Sequence, residues 1–123
     1  MKITRFEDIE AWQMARNLTR LVYKLCKNKP FVTDYGLRDQ VCRAAVSAMA
    51  NIAEGFDAGS KAEFARFLTY AQRSCSELQS EMYVAVDQGY IDRQEFEQVY
   101  DLAASTRSKV GGFIKYLKQR TKH

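Results

Sequence analysis

Apolar residues recur every three or four positions along four long segments of the chain. In the first segment, about residues 6–28, this spacing places the apolar side chains on one face of an α-helix. Pro30 ends the segment, because proline cannot continue a helix. The apolar face of this predicted helix consists of Ala11, Met14, Leu18, Leu21 and Leu25.

The same pattern recurs in three further segments, at about residues 34–55, 60–88 and 92–119. Ser60 and Asp92 each stand three residues before a glutamate, which is the capping box that begins many helices. The connections are short, so consecutive helices are expected to be antiparallel neighbours. The pattern therefore predicts an all-α chain, with residues 1–123 forming a single domain. We expect an antiparallel up-down-up-down four-helix bundle.

The second helix carries one row of polar residues in an alanine-rich segment. Its members lie three or four positions apart, which is helical spacing, and they are Gln40, Arg43, Ser47, Asn51 and Glu54. A buried polar group without a partner costs about 1–3 kcal/mol, so we expect hydrogen bonds to the third helix, with Ser74 and Glu77 as candidates. The prediction is a structural network at a helix contact or a subunit interface. A small-molecule site and a catalytic site are the alternatives.

Two adjacent glycines, Gly111 and Gly112, interrupt the apolar pattern of the fourth helix. Each lowers helix stability by about 1 kcal/mol relative to alanine. Close helix packing or fraying near the helix end explains such a pair, and a hinge is the alternative.

Basic residues are distributed unevenly, although the net charge of the chain is only +4. Residues 11–33 hold five bases and no acid, residues 102–123 hold six bases and no acid, and acids outnumber bases in between. The first and fourth helices are neighbours in an up-down bundle, so we expect their basic faces to merge into one phosphate-binding patch. The predicted nucleic-acid-binding residues are Arg16, Arg20, Lys24, Lys27, Lys29, Lys115, Lys118 and Arg120.

This charge pattern predicts non-enzymatic binding of RNA or DNA through phosphates, without readout of base sequence. Two further roles for the basic faces stay open. A row of charges is often only a solvated helix face, and a basic face can also contact the acidic helices of a neighbouring subunit. In the alternative function, the protein is a protein-interaction scaffold that binds no nucleic acid.

Candidate chemistry is sparse in this sequence. The single histidine is His123, the last residue, and Cys26, Cys42 and Cys75 lack metal-binding spacing. No catalytic or phosphate-loop motif occurs, so we expect no enzymatic activity, no metal and no cofactor. The N-terminal segment has acids where a signal peptide has an apolar run, and no segment is apolar enough to span a membrane. The expected location is the cytoplasm, with reduced thiols and no membrane contact.

Three stretches resemble a known family: FEDIEAWQMAR at 6–16, YGLRDQVCRAAVSAMANIAEGF at 35–56 and EFARFLTYAQRSCSELQSEM at 63–82. The sequence is similar to the four-helix bundle family that includes the 23S rRNA intervening-sequence proteins and accessory proteins of diversity-generating retroelements. It departs from the family pattern at Met49, where relatives usually have proline, and at Arg73, where they often have glycine.

The resemblance implies an antiparallel bundle that assembles with itself into a homopentameric ring. It also implies nucleic-acid binding and association with a reverse transcriptase, both properties of the retroelement relatives. No catalytic residue comes with the family, and its intervening-sequence members have no firmly assigned activity.

Overall fold

The computed structural model describes residues 2–120, without the side chain of Arg120. Four α-helices make up most of this range: α1 (Glu10–Leu25), α2 (Tyr35–Phe56), α3 (Lys61–Asp87) and α4 (Arg93–Arg120). Two single-turn 3-10 helices, Phe6–Asp8 and Phe31–Thr33, precede α1 and α2. No strand occurs between residues 2 and 120. The prediction of an all-α chain with four helices is confirmed.

Helix α1 is shorter than the predicted segment at both ends. Its start is delayed because the Asp8 carboxylate accepts hydrogen bonds from the backbone N–H groups of Thr4 and Arg5, at 3.1 and 3.3 Å. Ile9 is then extended, and α1 begins after it. At the other end, the backbone tightens into turns through Lys27 and Asn28. Lys27, predicted on the first helix, therefore lies with Lys29 in the connection to α2.

The later helices begin at side-chain caps. Ser60 Oγ accepts the backbone N–H of Glu63 at 3.1 Å, and Asp92 Oδ1 accepts that of Glu95 at 2.8 Å. Glu95 Oε1 in turn accepts the N–H of Asp92 at 2.9 Å, completing a capping box. Such caps each stabilise a helix by about 1 kcal/mol. Both predicted start sites are confirmed.

Each helix packs mainly against two others, in the cyclic order α1, α2, α3, α4. The shared core is mostly apolar, although it includes the fully buried Thr106. Its largest fully buried apolar side chains include Leu18, Val41, Ile52, Leu68, Leu78, Met82, Val99 and Val110. Alanines fill much of the remaining core, so the helix backbones approach closely. One close approach is at the end of α2, where Gly55 faces Phe64 and Phe67 of α3.

Candidate nucleic-acid interface

The basic residues of α1 form an exposed row. Arg16, Arg20 and Lys24 follow one another at four-residue intervals, on the side opposite the buried Leu18 and Val22. The Arg16 guanidinium lies over the Trp12 ring, 5.9 Å from its centroid. Within residues 2–120, no ion pair engages the row itself or the exposed Lys27 and Lys29 that follow. These cations are therefore available to an outside anion.

The basic residues of α4 lie on a different side of the molecule. Lys118 and Lys61 of α3 line one recess of about 300 Å³. Lys115 and Lys118 line a second recess of about 370 Å³, together with Gly111. The side chain of Arg120 lies outside the described part of the chain. Lys118 thus lies beside the start of α3, and Lys115 is its neighbour on α4.

Two contacts to α4, one from the start of α1 and one from the turn that follows α1, show why the basic groups are apart. Lys109 Nζ pairs with Glu10 Oε1 at 3.2 Å, and Asn28 Nδ2 donates to Glu95 Oε2 at 3.3 Å. The start of α1 therefore lies beside the later part of α4, and Lys115 lies beyond this contact, in the direction away from Arg16.

Helix rise gives the size of this separation. Arg16 and Lys115 are each six residues from the Glu10–Lys109 pair, so they lie about 18 Å apart along the bundle. Charges this far apart are largely screened at physiological salt, where the screening length is about 8 Å. Within one chain, the expectation of a single merged basic patch is wrong.

Helix α3 supplies bases that the charge pattern of the sequence did not assign to the site. Lys61 and Arg73 are exposed in its first half, and its neighbour α4 adds Arg107. Arg107 Nη1 donates to Ser76 Oγ at 3.0 Å, and Gln72 Nε2 donates to the Arg107 carbonyl at 3.2 Å. We call the resulting surface the α3–α4 basic edge, and its members are Lys61, Arg73, Arg107, Lys115 and Lys118.

The charge pattern of whole helices does not reveal the α3–α4 basic edge, because α3 and α4 each have one basic half and one acidic half. In α3, residues 61–73 hold three bases and one acid, whereas residues 74–87 hold three acids and no base. In α4 the order is reversed, because residues 93–101 hold three acids and one base and residues 102–120 hold five bases and no acid. Counting charge by half-helix would have found the signal.

Tyr70 of α3 lies between two arginines. The guanidinium groups of Arg66 and Arg73 are each 5.8 Å from the centroid of its ring. Arg66 also pairs with Glu63, at 2.8 Å between Nη2 and Oε2. A cation–π contact of this kind restrains a guanidinium group, which suits contacts to phosphate oxygens. Arg73, a member of the α3–α4 basic edge, is therefore partly restrained by Tyr70.

Among the described residues, the hydrogen bonds from side chains of the polar row of α2 lie at its centre. Ser74 Oγ of α3 donates to Ser47 Oγ at 3.0 Å, and Asn51 Nδ2 donates to the carbonyl and hydroxyl oxygens of Ser47, at 2.9 and 3.0 Å. Gln40, Arg43 and Glu54 are exposed, as is the other candidate partner, Glu77. The row therefore joins α2 to α3 through serines, and its ends face solvent.

Replacing Ser74 by alanine should lower the free energy of unfolding by about 1 kcal/mol, because Ser47 loses its donor from α3 at a buried position. Denaturant unfolding of the Ser74→Ala protein measures this change. Ser80→Ala, at an exposed position of the same helix, serves as the control and should stay within about 0.5 kcal/mol of the parent. Equal effects of the two substitutions would show that the Ser47–Ser74 bond does not stabilise the fold.

Glu81 of α3 is an unusual carboxyl group. Within the described residues, its Oε1 atom is buried without a hydrogen-bond partner. Burial, with the added repulsion of Glu77, raises the pKa of Glu81 to about 7. The neutral acid is therefore favoured in the folded chain, and the native state holds this proton more tightly than the unfolded state does.

Glu81→Gln should make stability less dependent on pH. The pKa of Glu81 in the folded chain lies above its ordinary value of 4.5. The contribution of Glu81 to the free energy of unfolding is therefore most favourable below pH 4.5 and is lost as the pH rises through about 7. Allowing for the part of the side chain that stays exposed, we expect the Glu81→Gln substitution to raise the free energy of unfolding by about 1 kcal/mol at pH 8 and to change it little at pH 4. Unfolding curves at both pH values, with the exposed Asp101→Asn as control, measure the difference. An identical shift at both would contradict the pKa effect.

A groove of about 890 Å³ lies between the start of α1 and the later half of α4. Ile9, Met14, Phe113 and Tyr116 are among its apolar lining residues, and the Glu10–Lys109 pair lies beside them. Among the described residues, no group of three or more His, Cys, Asp or Glu side chains could hold a metal. The same part of the chain has no helix long and apolar enough to cross a bilayer.

These features define a small helical-bundle protein with separate basic surface clusters. The sequence model of the family described as 23S rRNA-intervening sequence protein matches residues 7–112. The chain belongs to this family, which confirms the resemblance.

A solved crystal structure shares the fold. It belongs to a protein from Bacteroides thetaiotaomicron VPI-5482, described as a protein with unknown function from the S23 ribosomal protein family. The two chains are 23% identical, with a TM-score of 0.77, and the match covers 85% of this chain and 98% of that chain. No curated protein sequence matches this chain.

Proposed function

We propose that this protein binds RNA or DNA without catalysing a reaction, and that the α3–α4 basic edge makes the main contact with phosphates. One observation carries the proposal: two packed half-helices present five exposed bases, and most of that surface belongs to residues 64–76 and 102–120, which contain no acid. The α1 row is the second contact.

The length of the α3–α4 basic edge suits the sugar-phosphate backbone of a nucleic acid. The α3–α4 basic edge runs about 18 Å from Lys61 to Arg73, which matches about five phosphates along one strand. Each neutralised phosphate releases condensed counterions, so five contacts predict a salt slope of about −4 on log scales. Contacts to phosphates carry no base information, so affinity should depend weakly on sequence.

Assembly is part of the proposal. An up-down-up-down bundle is supported by contacts that join late residues of one helix to early residues of the next, such as Gly55 with Phe64 and Gln79 with Tyr100. The family resemblance supports a homopentameric ring. In a ring, five copies of the α3–α4 basic edge would bind one nucleic acid with a high effective concentration. Three free thiols fit a cytoplasmic location.

The test is fluorescence anisotropy with a structured RNA and with a DNA duplex, from about 50 mM to about 200 mM salt. We expect binding at low salt and an affinity that falls by more than 100-fold over this range, as a slope near −4 requires. Light scattering of the same sample gives the subunit number. Absence of binding at the lowest salt would reject the proposed function.

A second candidate function, a protein-interaction scaffold, is favoured by the apolar groove between α1 and α4. Tyr116 in this groove keeps half of its surface exposed, which suits a protein contact. The partner would then be a protein, such as the reverse transcriptase that the resemblance implies. Binding of such a partner by a protein that ignores nucleic acid would support this alternative.

A further inference from the structure

Two cysteine side chains touch at the junction of α1 and α2. The sulfur atoms of Cys26 and Cys42 are 3.7 Å apart, with the Cys42 thiol donating to the Cys26 sulfur. Cys26 is the residue that caps the end of α1, and Cys42 lies within α2. The third cysteine, Cys75, is fully buried in α3 and contributes to the core. The chain therefore contains one thiol pair and one separate thiol.

Access to the two paired thiols is unequal. Cys26 is only 4% exposed, and burial together with the neighbouring Cys42 raises the pKa of its thiol far above the ordinary value. Cys42 is partly exposed and lines a surface groove of about 460 Å³ with Tyr23, Asp39 and Arg43. A small reagent entering this groove meets Cys42 first, with Cys26 directly behind it.

We propose that Cys26 and Cys42 form an oxidative modification site whose co-substrate is a hydroperoxide, with hydrogen peroxide as the simplest case. The Cys42 thiolate sulfur attacks one peroxide oxygen, the O–O bond breaks, and the leaving hydroxide takes up a proton as water. The Cys26 sulfur then attacks the Cys42 sulfenic acid, an S–S bond replaces the S–O bond, and the Cys26 proton leaves with the hydroxyl as water. Two thiols are oxidised, and one peroxide is reduced to two waters.

The backbone beside Cys26 allows this bond to form. Disulfide sulfurs are about 2.05 Å apart, so the two sulfurs must approach by about 1.7 Å. Cys26 lies at a helix end, where Lys27 and Asn28 are held by turn hydrogen bonds to Lys24 and Leu25. A helix end moves more readily than a helix interior. The bond would close the segment that carries Lys27 and Lys29 against α2.

The experiment treats the reduced, full-length protein with hydrogen peroxide and counts thiols after denaturation. We expect three free thiols before treatment and one afterwards. Tryptic digestion should join the peptide 25–27 to the peptide 39–43, with the loss of two hydrogen atoms, and dithiothreitol should separate them. Cys75, whose pKa burial raises to about 11, should remain a thiol.

Three single variants test which cysteines form the bond. Cys75→Ser should still form the linked peptides. Cys42→Ser should keep both remaining thiols under the same treatment, and Cys26→Ser should give a Cys42 sulfenic acid that a dimedone probe captures. The proposal is overturned if the parent retains all three thiols, if Cys75 enters the bond, or if Cys42 ends as a sulfinic acid without a link to Cys26. Each readout is independent of nucleic-acid binding.

Discussion

Lys115→Glu combined with Lys118→Glu lowers the affinity of the protein for RNA by about 100-fold at physiological salt, if the α3–α4 basic edge is the main contact. Both lysines are exposed on α4, beside the start of α3. Losing two phosphate contacts removes about 2 from the salt slope, which corresponds to about 30-fold at 0.15 M salt. Reversing the charges adds repulsion, which accounts for the remaining factor.

Anisotropy titrations at several salt concentrations measure both the affinity and the slope. Circular dichroism melting of the same variant should stay close to the parent, because surface substitutions usually change stability by no more than about 0.5 kcal/mol. A lower affinity with an unchanged salt slope would point to altered folding or assembly rather than to lost phosphate contacts.

The matched control is Arg20→Glu with Lys24→Glu, which makes the same change in charge on the α1 row. We expect a smaller loss, of about 10-fold, because this row is the second contact and neutralises fewer phosphates. If the α1 variant loses more affinity than the α4 variant, the α1 row is the main contact. If the α1 variant instead breaks the oligomer, that row contacts a neighbouring subunit.

Gly55→Ala lowers the free energy of unfolding by about 2 kcal/mol, as overpacking of a close contact predicts. A methyl group at Gly55 would lie 2.9 Å from Phe67 Cβ and 3.3 Å from the Phe64 carbonyl oxygen. Neither atom is the end of a flexible side chain, so α2 and α3 must move apart. Gly55 lies in the NIAEGF stretch, and its role is this close helix contact.

Gly112→Ala is the matched control, because Gly112 is also helical but a methyl group there would meet nothing within 4 Å. We expect this variant to be more stable by about 1 kcal/mol, the difference in helix propensity between the two residues. Denaturant unfolding at one fixed protein concentration compares the variants, since assembly makes stability depend on concentration. Equal changes in the free energy of unfolding of both variants would show that the close contact at Gly55 does not affect stability.

The four helices followed directly from apolar spacing, and two of their start sites followed from Ser60 and Asp92. These features are local, because a cap and its partner lie within one turn. The ends of α1 were predicted less well. Asp8 engages backbone groups that precede it, and this competing local hydrogen bond is not visible in the apolar period.

The adjacent glycines of α4 show a limit of sequence patterns. Both interrupt the same helix by the same amount, and sequence treats them alike. In the structure, a methyl group at Gly111 would lie 2.9 Å from Gln72 Nε2, whereas one at Gly112 would meet open space. A rotation of about 100° along the helix separates a packed position from an exposed one, and only the neighbouring helix decides which is which.

Sequence by itself determined that this chain is all-α with four helices. Apolar residues at helical spacing can be read directly from the sequence, and the backbone hydrogen bonds of a helix form between residues of the same segment. Sequence also determined which residues are charged. Only the tertiary structure decided which charges act together. Helix pairing brings Lys61 of α3 to Lys118 of α4 and places the Arg16 row elsewhere. Electrostatic interactions depend on distance through space and fade within a screening length of about 8 Å, so position along the chain could not reveal the α3–α4 basic edge.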